Sequence, residues 1–528
     1  MTFKNLSIFL STVFLVAACS QEEEQEAQDT AQNMPMPETT LLDVAIEGIG
    51  GADLLQNMNS FAVSGSGNRY ELDESPIPGG VDPRPEGFEW TVNAQNIGGN
   101  DVLVRIDISR DRAAGNHAST QIINGTQGMI TGLDSQFNPN PAPMTSDRRA
   151  AILKELYLLQ PQAVLAIAQE NPDQVEISED IVNGMNYGVL AVSTDVGTIS
   201  LYVDEARGLI DRATTMELDY LRGDILLEAS FDDWRVGGSD MLYPGSVTLT
   251  SDDVVLHEER RRSISLNVPM QAEDFDIPTE LLTGFNQELH DFGANSSEVY
   301  MNMASAGFPR SGFSTDVLSE EIAPGVFYIT GSSHHSLVVE QENGLVVIEA
   351  PLHYLRSQVV INWIEENIPD KAVSHVIATH HHTDHSAGMR TYIDAGATVV
   401  AHEAAVDFYN EVLPNPHTLG HGAGALTSLT IESMPADGSY TIEDASNPVT
   451  VYPLDSGGHA NDMLMAYVEE PGILFTSDTF SPNPNMTEAN DGARMVRESI
   501  EAAGIEPSIF VGGHGAAMSG DAFQALFD

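Results

Sequence analysis

The sequence predicts an α/β protein of two domains, a mostly antiparallel β domain followed by one in which strands and helices alternate. Three observations predict it. The chain has 528 residues, more than one hydrophobic core ordinarily organises. From about residue 41 to 309 the apolar segments are short and separated by Gly- and Asp-bearing turns, with a single helical stretch among them. From about Glu320 onward, apolar runs of strand length are interleaved with segments of helical period.

Residues 1–18 have the pattern of a signal peptide. Lys4 supplies a positive start, and an apolar run from Leu6 to Ala18, too short to span a bilayer, ends in Val16-Ala17-Ala18-Cys19. That ending resembles the lipobox of bacterial lipoproteins, in which the cysteine becomes the lipidated first residue after cleavage. Cys19 is the only cysteine. With Cys19 lipidated, the mature chain has no thiol for a disulfide, a nucleophile or a metal ligand. The expected location is the bacterial cell envelope, exported and held to a membrane by the lipid, on the periplasmic side or at the outer membrane. Residues 19–40 are rich in Glu, Gln, Pro and Met and have no apolar period, as a flexible tether would.

In the β domain, 41–309, strands are predicted at 61–63, 88–92, 102–108, 199–203, 214–219 and 225–231, with turns at Glu205-Ala-Arg-Gly208 and Leu221-Arg-Gly-Asp224. The helical stretch starts at a Ser146-Asp147 cap and runs through 150–159, and Pro161 breaks it before 163–169. A long antiparallel sheet with an internal helical stretch resembles the half-barrel of lipoprotein-carrier and related periplasmic lipid-handling domains, which implies a lipid or peptide ligand. The one basic cluster, His257-Glu-Glu-Arg-Arg-Arg262, reads as a solvated strand or loop pairing with its own glutamates. Over the whole chain 22 Lys and Arg stand against 78 Asp and Glu, a formal charge of −56 that repels nucleic acid and excludes it as an expected partner.

In the domain from 320 to 528, strands are predicted at 326–330, 337–340 and 345–348, a helix at 357–367, a strand at 373–378, a helix at 389–395 and a strand at 398–401. A strand at 449–453, a hairpin of 463–468 and 473–476 turning at Glu469-Glu-Pro-Gly472, a helix at 494–503 and a strand at 508–511 complete it. The strand 373–378 runs into Thr379-His-His-His-Thr-Asp-His385, four histidines and an aspartate within six positions. Imidazole and carboxylate suit borderline divalent metals, and a loop at a strand end can turn His380 and His382 toward one ion and Asp384 and His385 toward another. Such a cluster needs completion from elsewhere. Three more candidates follow apolar strands in order: His459 in Ser456-Gly-Gly-His-Ala460, Asp478 in Phe475-Thr-Ser-Asp-Thr479 and His514 in Val511-Gly-Gly-His-Gly515.

The pattern His-x-His-x-Asp-His, then a glycine-histidine loop, an aspartate after a strand and a final Gly-Gly-His resembles the metallo-β-lactamase superfamily over roughly the last two-fifths of the chain. The resemblance implies an αβ/βα sandwich with metals at one edge, and two zinc ions as cofactors. It further implies that His380, His382 and His459 hold the first ion, that Asp384, His385 and His514 hold the second, and that Asp478 bridges them. Glu349 stands where many family members have an aspartate and is expected to support the ligands from behind. His381 is expected to point away, and His334, His335, His402 and His421 read as ordinary structural or exposed histidines.

Two bridged zinc ions imply a hydrolase in which Asp384 orients a metal-bridging hydroxide toward a carbonyl. The domain holds only Arg356, Lys371, Arg390, Arg494 and Arg497 as cations, so an amide, ester, lactone or thioester of a small, weakly charged molecule suits it better than a polyphosphate. Two other classes stay open. One is a mononuclear iron oxygenase of a sulfur substrate, as in the family's persulfide dioxygenases. The other is a lipoprotein without catalysis, binding lipid or peptide through its β domain.

Overall fold

The structure, a computed structural model, describes residues 39–70, 74–80, 85–112, 115–132, 141–144, 146–283, 317–419 and 424–528. The signal segment, Cys19 and nearly all of the tether, the stretch 284–316 between the two domains, and His421 lie outside the described residues.

Thirteen strands make one antiparallel sheet whose first and last members pair at its centre. Ser60–Arg69 lies beside Glu86–Gln95 on one side, with Leu103–Arg112, Gly115–Asn124, Gln127–Gly132 and Ala142–Pro143 continuing outward. On its other side comes Val254–Leu266, followed by Leu242–Ser251, Gly223–Val236, Leu209–Asp219, Gly197–Asp204, Met185–Thr194 and Val175–Val182. The chain thus runs out along one arm and returns along the other. Helices Ser146–Leu159 and Pro161–Glu170 make the crossing, bent by 97° at the proline, whose fixed φ suits a first helical turn but cannot continue the preceding one. Their Leu153, Leu156, Leu165 and Ala168 pack with Val92, Val104, Leu201, Leu227 and Leu249 of the sheet in one core. A helix at Leu41–Ile49, begun by a Thr40–Asp43 capping box, closes the same core.

The basic cluster is not a solvated strand. It lies in Val254–Leu266 near the sheet's centre, where alternation sends His257, Glu259 and Arg261 inward, each 2% exposed or less, and leaves Glu258, Arg260 and Arg262 outside. Inside, Glu259 accepts from Trp90 Nε1 at 2.8 Å and from Arg261 Nε at 3.3 Å, and Arg261 reaches Gln160 Oε1 of the helix pair at 3.3 Å. Lys154 and Glu217 pair at 2.8 Å in the same layer. Burial alone pushes the Glu259 carboxyl up, but Arg261, His257 and Trp90 more than offset it and hold it at about 2.

The second domain is four layers deep. A seven-stranded sheet, from Leu318–Ala323 to Ile431–Met434, faces a six-stranded one, from Tyr440–Ile442 to Met518–Ser519. Between them Val346, Ile348, Ile377 and Val400 meet Val451, Leu464, Phe475 and Val511. Helices Tyr354–Asn367, Met389–Asp394 and Glu403–Val412 cover the outside of the first sheet, while Asp491–Ala503 and Gly520–Ala525 cover the second. Leu345–Ile348 is buried on both faces and parallel to Val373–Ile377, which explains its unbroken apolar sequence. This is the expected mixed α/β architecture: a large antiparallel region followed by an αβ/βα metallo-β-lactamase-like domain.

The two domains meet at the predicted turn 221–224. Leu218, Tyr220 and Leu221 belong to the core formed by the outer helices. Asp224 accepts from the Thr418 hydroxyl at 2.6 Å and from Leu419 N–H at 3.1 Å, while Arg222 lies over the Phe408 ring. Among the described residues no single helix is long and apolar enough to cross a membrane.

The Glu259 carboxylate makes a pH-dependent contribution. Its folded value lies below the ordinary 4.5, so its stabilisation is complete above about pH 4.5 and is lost as pH falls through about 2. Glu259→Gln leaves Arg261 buried without its counter-charge and is expected to cost about 3 kcal/mol at neutral pH. Urea unfolding followed by tryptophan fluorescence checks it: the gap between variant and parent should be wide at pH 7 and narrow below pH 4.5.

Candidate metal centre

The chemistry-bearing residues collect where strands end. Parallel strands Leu345–Ile348 and Val373–Ile377 of one sheet, and Ile473–Phe475 and Ile509–Val511 of the other, point their carboxyl ends at a common edge. Glu349, residues 379–385, Ser477 with Asp478, and His514 follow them directly. Loops at such ends are free to converge on a ligand while the strands hold their roots.

Glu349 is fully buried and takes a left-handed backbone conformation, φ 66°. Its Oε1 accepts from the hydroxyls of Thr379 at 2.7 Å and Ser477 at 2.6 Å, and its Oε2 accepts from His385 Nδ1 at 2.9 Å. The sequence left its contact open, and the contact is His385. Those hydroxyl oxygens lie 3.3 and 3.4 Å from His380 Nδ1. His514 Nδ1 donates to Ser333 O at 2.7 Å, and His382 Nε2 donates to Ser75 O at 3.0 Å. In each of these four histidines one nitrogen is tied outward and the other faces the centre, the arrangement by which metal-ligating imidazoles are oriented.

Two triads result. His380, His382 and His459 each offer a nitrogen within 4.8 Å of the others, as do His334, His385 and His514. Asp478 stands between them, its Oδ1 3.0 Å from His385 Nε2 and 3.1 Å from His514 Nε2 and its Oδ2 3.3 Å from His459 Nε2. Asp384 lies at the rim, 3.2 Å from His334 Nε2 and 4.0 Å from His385 Nε2. All seven residues named from the sequence as metal ligands therefore converge on one edge. The donor set fits a divalent metal: His380 Nε2 and His382 Nδ1 are buried and have no hydrogen-bond partner among the described residues, and His385 Nε2 and His514 Nε2 converge on the single oxygen Asp478 Oδ1.

The electrostatics separate the two sides. Burial and the neighbouring histidines push His380 well below its ordinary value and His382 down to about 4. Burial also acts on His385, but Asp478, Glu349 and Asp384 outweigh it and raise that imidazole well above its ordinary value. The same contest, won by Asp478, raises His514. Asp478 itself, pushed up by burial, is carried well below the carboxylate range by His385, His459 and His514.

Several contributors escaped sequence reasoning. His334, read as ordinary, is buried in the second triad and pushed to about 4 by burial. A histidine pair just after the strand Val326–Thr330 at this same edge was the available signal. His335 props the last loop instead: its Nδ1 donates to Tyr328 Oη at 2.6 Å, whose hydroxyl donates to Gly512 O at 3.0 Å. His381 faces away from the triads and pairs with Asp462 at 2.7 Å in a buried contact. His402 caps the helix Glu403–Val412 through Ala404 N–H. Glu74 and Ser75, from the other domain, carried no signal at all. Gly513 has no substitute, because a Cβ there would stand 2.9 Å from His385 Cε1 and 3.1 Å from Glu349 Oε2.

Residues 329–514 match the model of the metallo-beta-lactamase superfamily. Among solved structures, a metallo-beta-lactamase from Pontibacter korlensis is 18% identical, covering 40% of this chain and 96% of that one with a TM-score of 0.31. Another from Hirschia baltica is 17% identical, covering 40% and 95%, with a TM-score of 0.30. A stereoselective inverting sec-alkylsulfatase from Pseudomonas sp. is 17% identical and covers 41% of each chain with a TM-score of 0.32. No curated protein matches the chain.

Glu349→Gln cannot accept all three hydrogen bonds and releases His385 from its orientation. Metal affinity is expected to fall about 10- to 100-fold, measured by competition with a chromophoric chelator.

Proposed function

We propose that the second domain is a zinc-dependent hydrolase acting on an amide, ester, lactone or thioester of a small molecule, with two ions side by side. The observation that carries the reading is Asp478, one carboxylate within 3.3 Å of histidines from both triads. His380, His382 and His459 would hold one ion, Asp384, His385 and His514 the other, with Asp478 shared. When bound, such a pair supplies a water of lowered pKa and an electrophile for a carbonyl oxygen. Asp384, at the rim and 22% exposed, orients the attacking water, and His334 Nε2 donates to Asp384 Oδ2 to fix that carboxylate's direction. Glu349 keeps His385 and His380 turned inward. The shortage of cations in the domain supports a neutral or weakly charged substrate.

Elemental analysis of the chain purified without chelators tests the reading. About two zinc per chain is the expected result; about one iron moves the reading to an oxygenase of a sulfur substrate, and no tightly held metal leaves a non-catalytic lipoprotein. Asp384→Asn should then lower kcat by about 100-fold or more on a responsive ester or lactone while the first triad keeps its zinc.

The proposal includes export and anchoring through Cys19, which rest on the signal-segment pattern. Expressed in a bacterium, the parent chain should partition into detergent and Cys19→Ser into the aqueous phase. Equal partitioning of the two would remove the anchor from the reading.

A further inference from the structure

The metal edge is not built by one domain alone. The stretch from Glu74 to Gly80, between the strands Ser60–Arg69 and Glu86–Gln95, leaves the antiparallel domain and lies against the second one. Asn461 N–H donates to Pro76 O at 2.8 Å, and Gly79 sits so close to Phe408 that a Cβ there would be 3.2 Å from the ring. Ser75 is 2% exposed, and its carbonyl takes the hydrogen bond from His382 Nε2 at 3.0 Å. A carbonyl only accepts, so the ring proton of neutral His382 is on Nε2 and a lone pair is on Nδ1. That Nδ1 is buried and has no hydrogen-bond partner among the described residues. Glu74 Oε2 stands 3.5 Å from it, on a side chain 18% exposed. A buried nitrogen lone pair that meets no donor is costly, and with a carboxylate oxygen 3.5 Å away it has the surroundings that a cation would fill. Glu74, His382 and Asp384 each offer one ligand atom within 4.8 Å of the others.

We propose that Glu74 is a metal ligand supplied by the antiparallel domain, its carboxylate binding the divalent cation that His382 Nδ1 holds. The inference rests on the metal-centre reading above and extends it: one ion then ties the two domains together, and the antiparallel domain sets the affinity of the site. Ser75 acts through His382 as a positioning residue, by its backbone carbonyl.

The test uses the full chain, stripped of metal, as the parent and as Glu74→Gln, Glu74→Ala and Glu74→Asp. Each is titrated with zinc against a chromophoric chelator and with cobalt(II) followed by its visible absorption. The expected result is that Glu74→Gln and Glu74→Ala bind one ion at least about tenfold more weakly than the parent. Their cobalt bands should be altered and their metal-free Tm unchanged, with zinc raising Tm less than in the parent. Glu74→Asp, keeping the charge on a shorter stem, should fall between, and it is read in the same way should Glu74→Gln fold poorly. Parent-like zinc affinity and cobalt bands in all three variants would overturn the role of Glu74 while leaving the metal centre standing. A parent chain that takes up neither metal would overturn both.

Discussion

The candidate site is organised by the burial of the Glu349 carboxylate. An ion taken out of water costs several kcal/mol, and hydrogen bonds to a charged group return about 1.5–3 kcal/mol each. Glu349 is therefore stable where it is only because three donors converge on it. They come from residues 30, 36 and 128 positions away, on loops that follow two strands other than its own. One buried charge thus makes those loops interdependent. Its left-handed backbone, unusual outside glycine, aims the side chain back across the strand ends. The same three bonds fix the ring of His385 and position the hydroxyls beside His380.

In front of that knot the charges are arranged in layers. His380 and His382, pushed below the ordinary imidazole range by burial, stand on one side. On the other, His385 and His514 are drawn toward the positive form by Asp478. A proton and a divalent cation compete for the same electron pairs there, which couples metal binding to proton release. The carboxylates at the centre and rim, among so many buried nitrogens, have the composition that a cation site needs.

The second constraint is domain docking. Leu218, Tyr220 and Leu221 enter the helical layer of the other domain, and Asp224 receives hydrogen bonds from Thr418 and Leu419. Hydrogen bonds from Asn461 N–H to Pro76 O and from His382 Nε2 to Ser75 O make a second point of contact, at the metal edge itself. Two separated attachments restrict rotation of one domain on the other. The position of the stretch 74–80 is thereby a property of both domains and not of a loop alone.

The alternation of strand and helix in the second domain was legible because strands buried between layers read as continuous apolar runs. Val326–Thr330, Leu345–Ile348 and Val449–Pro453 fall where the sequence predicts them. The antiparallel domain was less legible. Leu242–Ser251 and Val254–Leu266 escaped because their outer faces are largely polar and, in the last, the inner face carries His257, Glu259 and Arg261, while the edge strand Val175–Val182 escaped because it buries neither face. Charge in that strand signalled solvent, whereas pairing across to the helices made it interior. By itself the sequence determined the chemistry, since His380, His382, Asp384 and His385 share one loop and their spacing is a local property. Only the tertiary structure decided what stands around them. The contact of Glu349 with His385, the entry of His334 and the approach of Glu74 from another domain depend on strand register and domain docking. Those are set by packing energies summed over the whole chain, which no local spacing encodes.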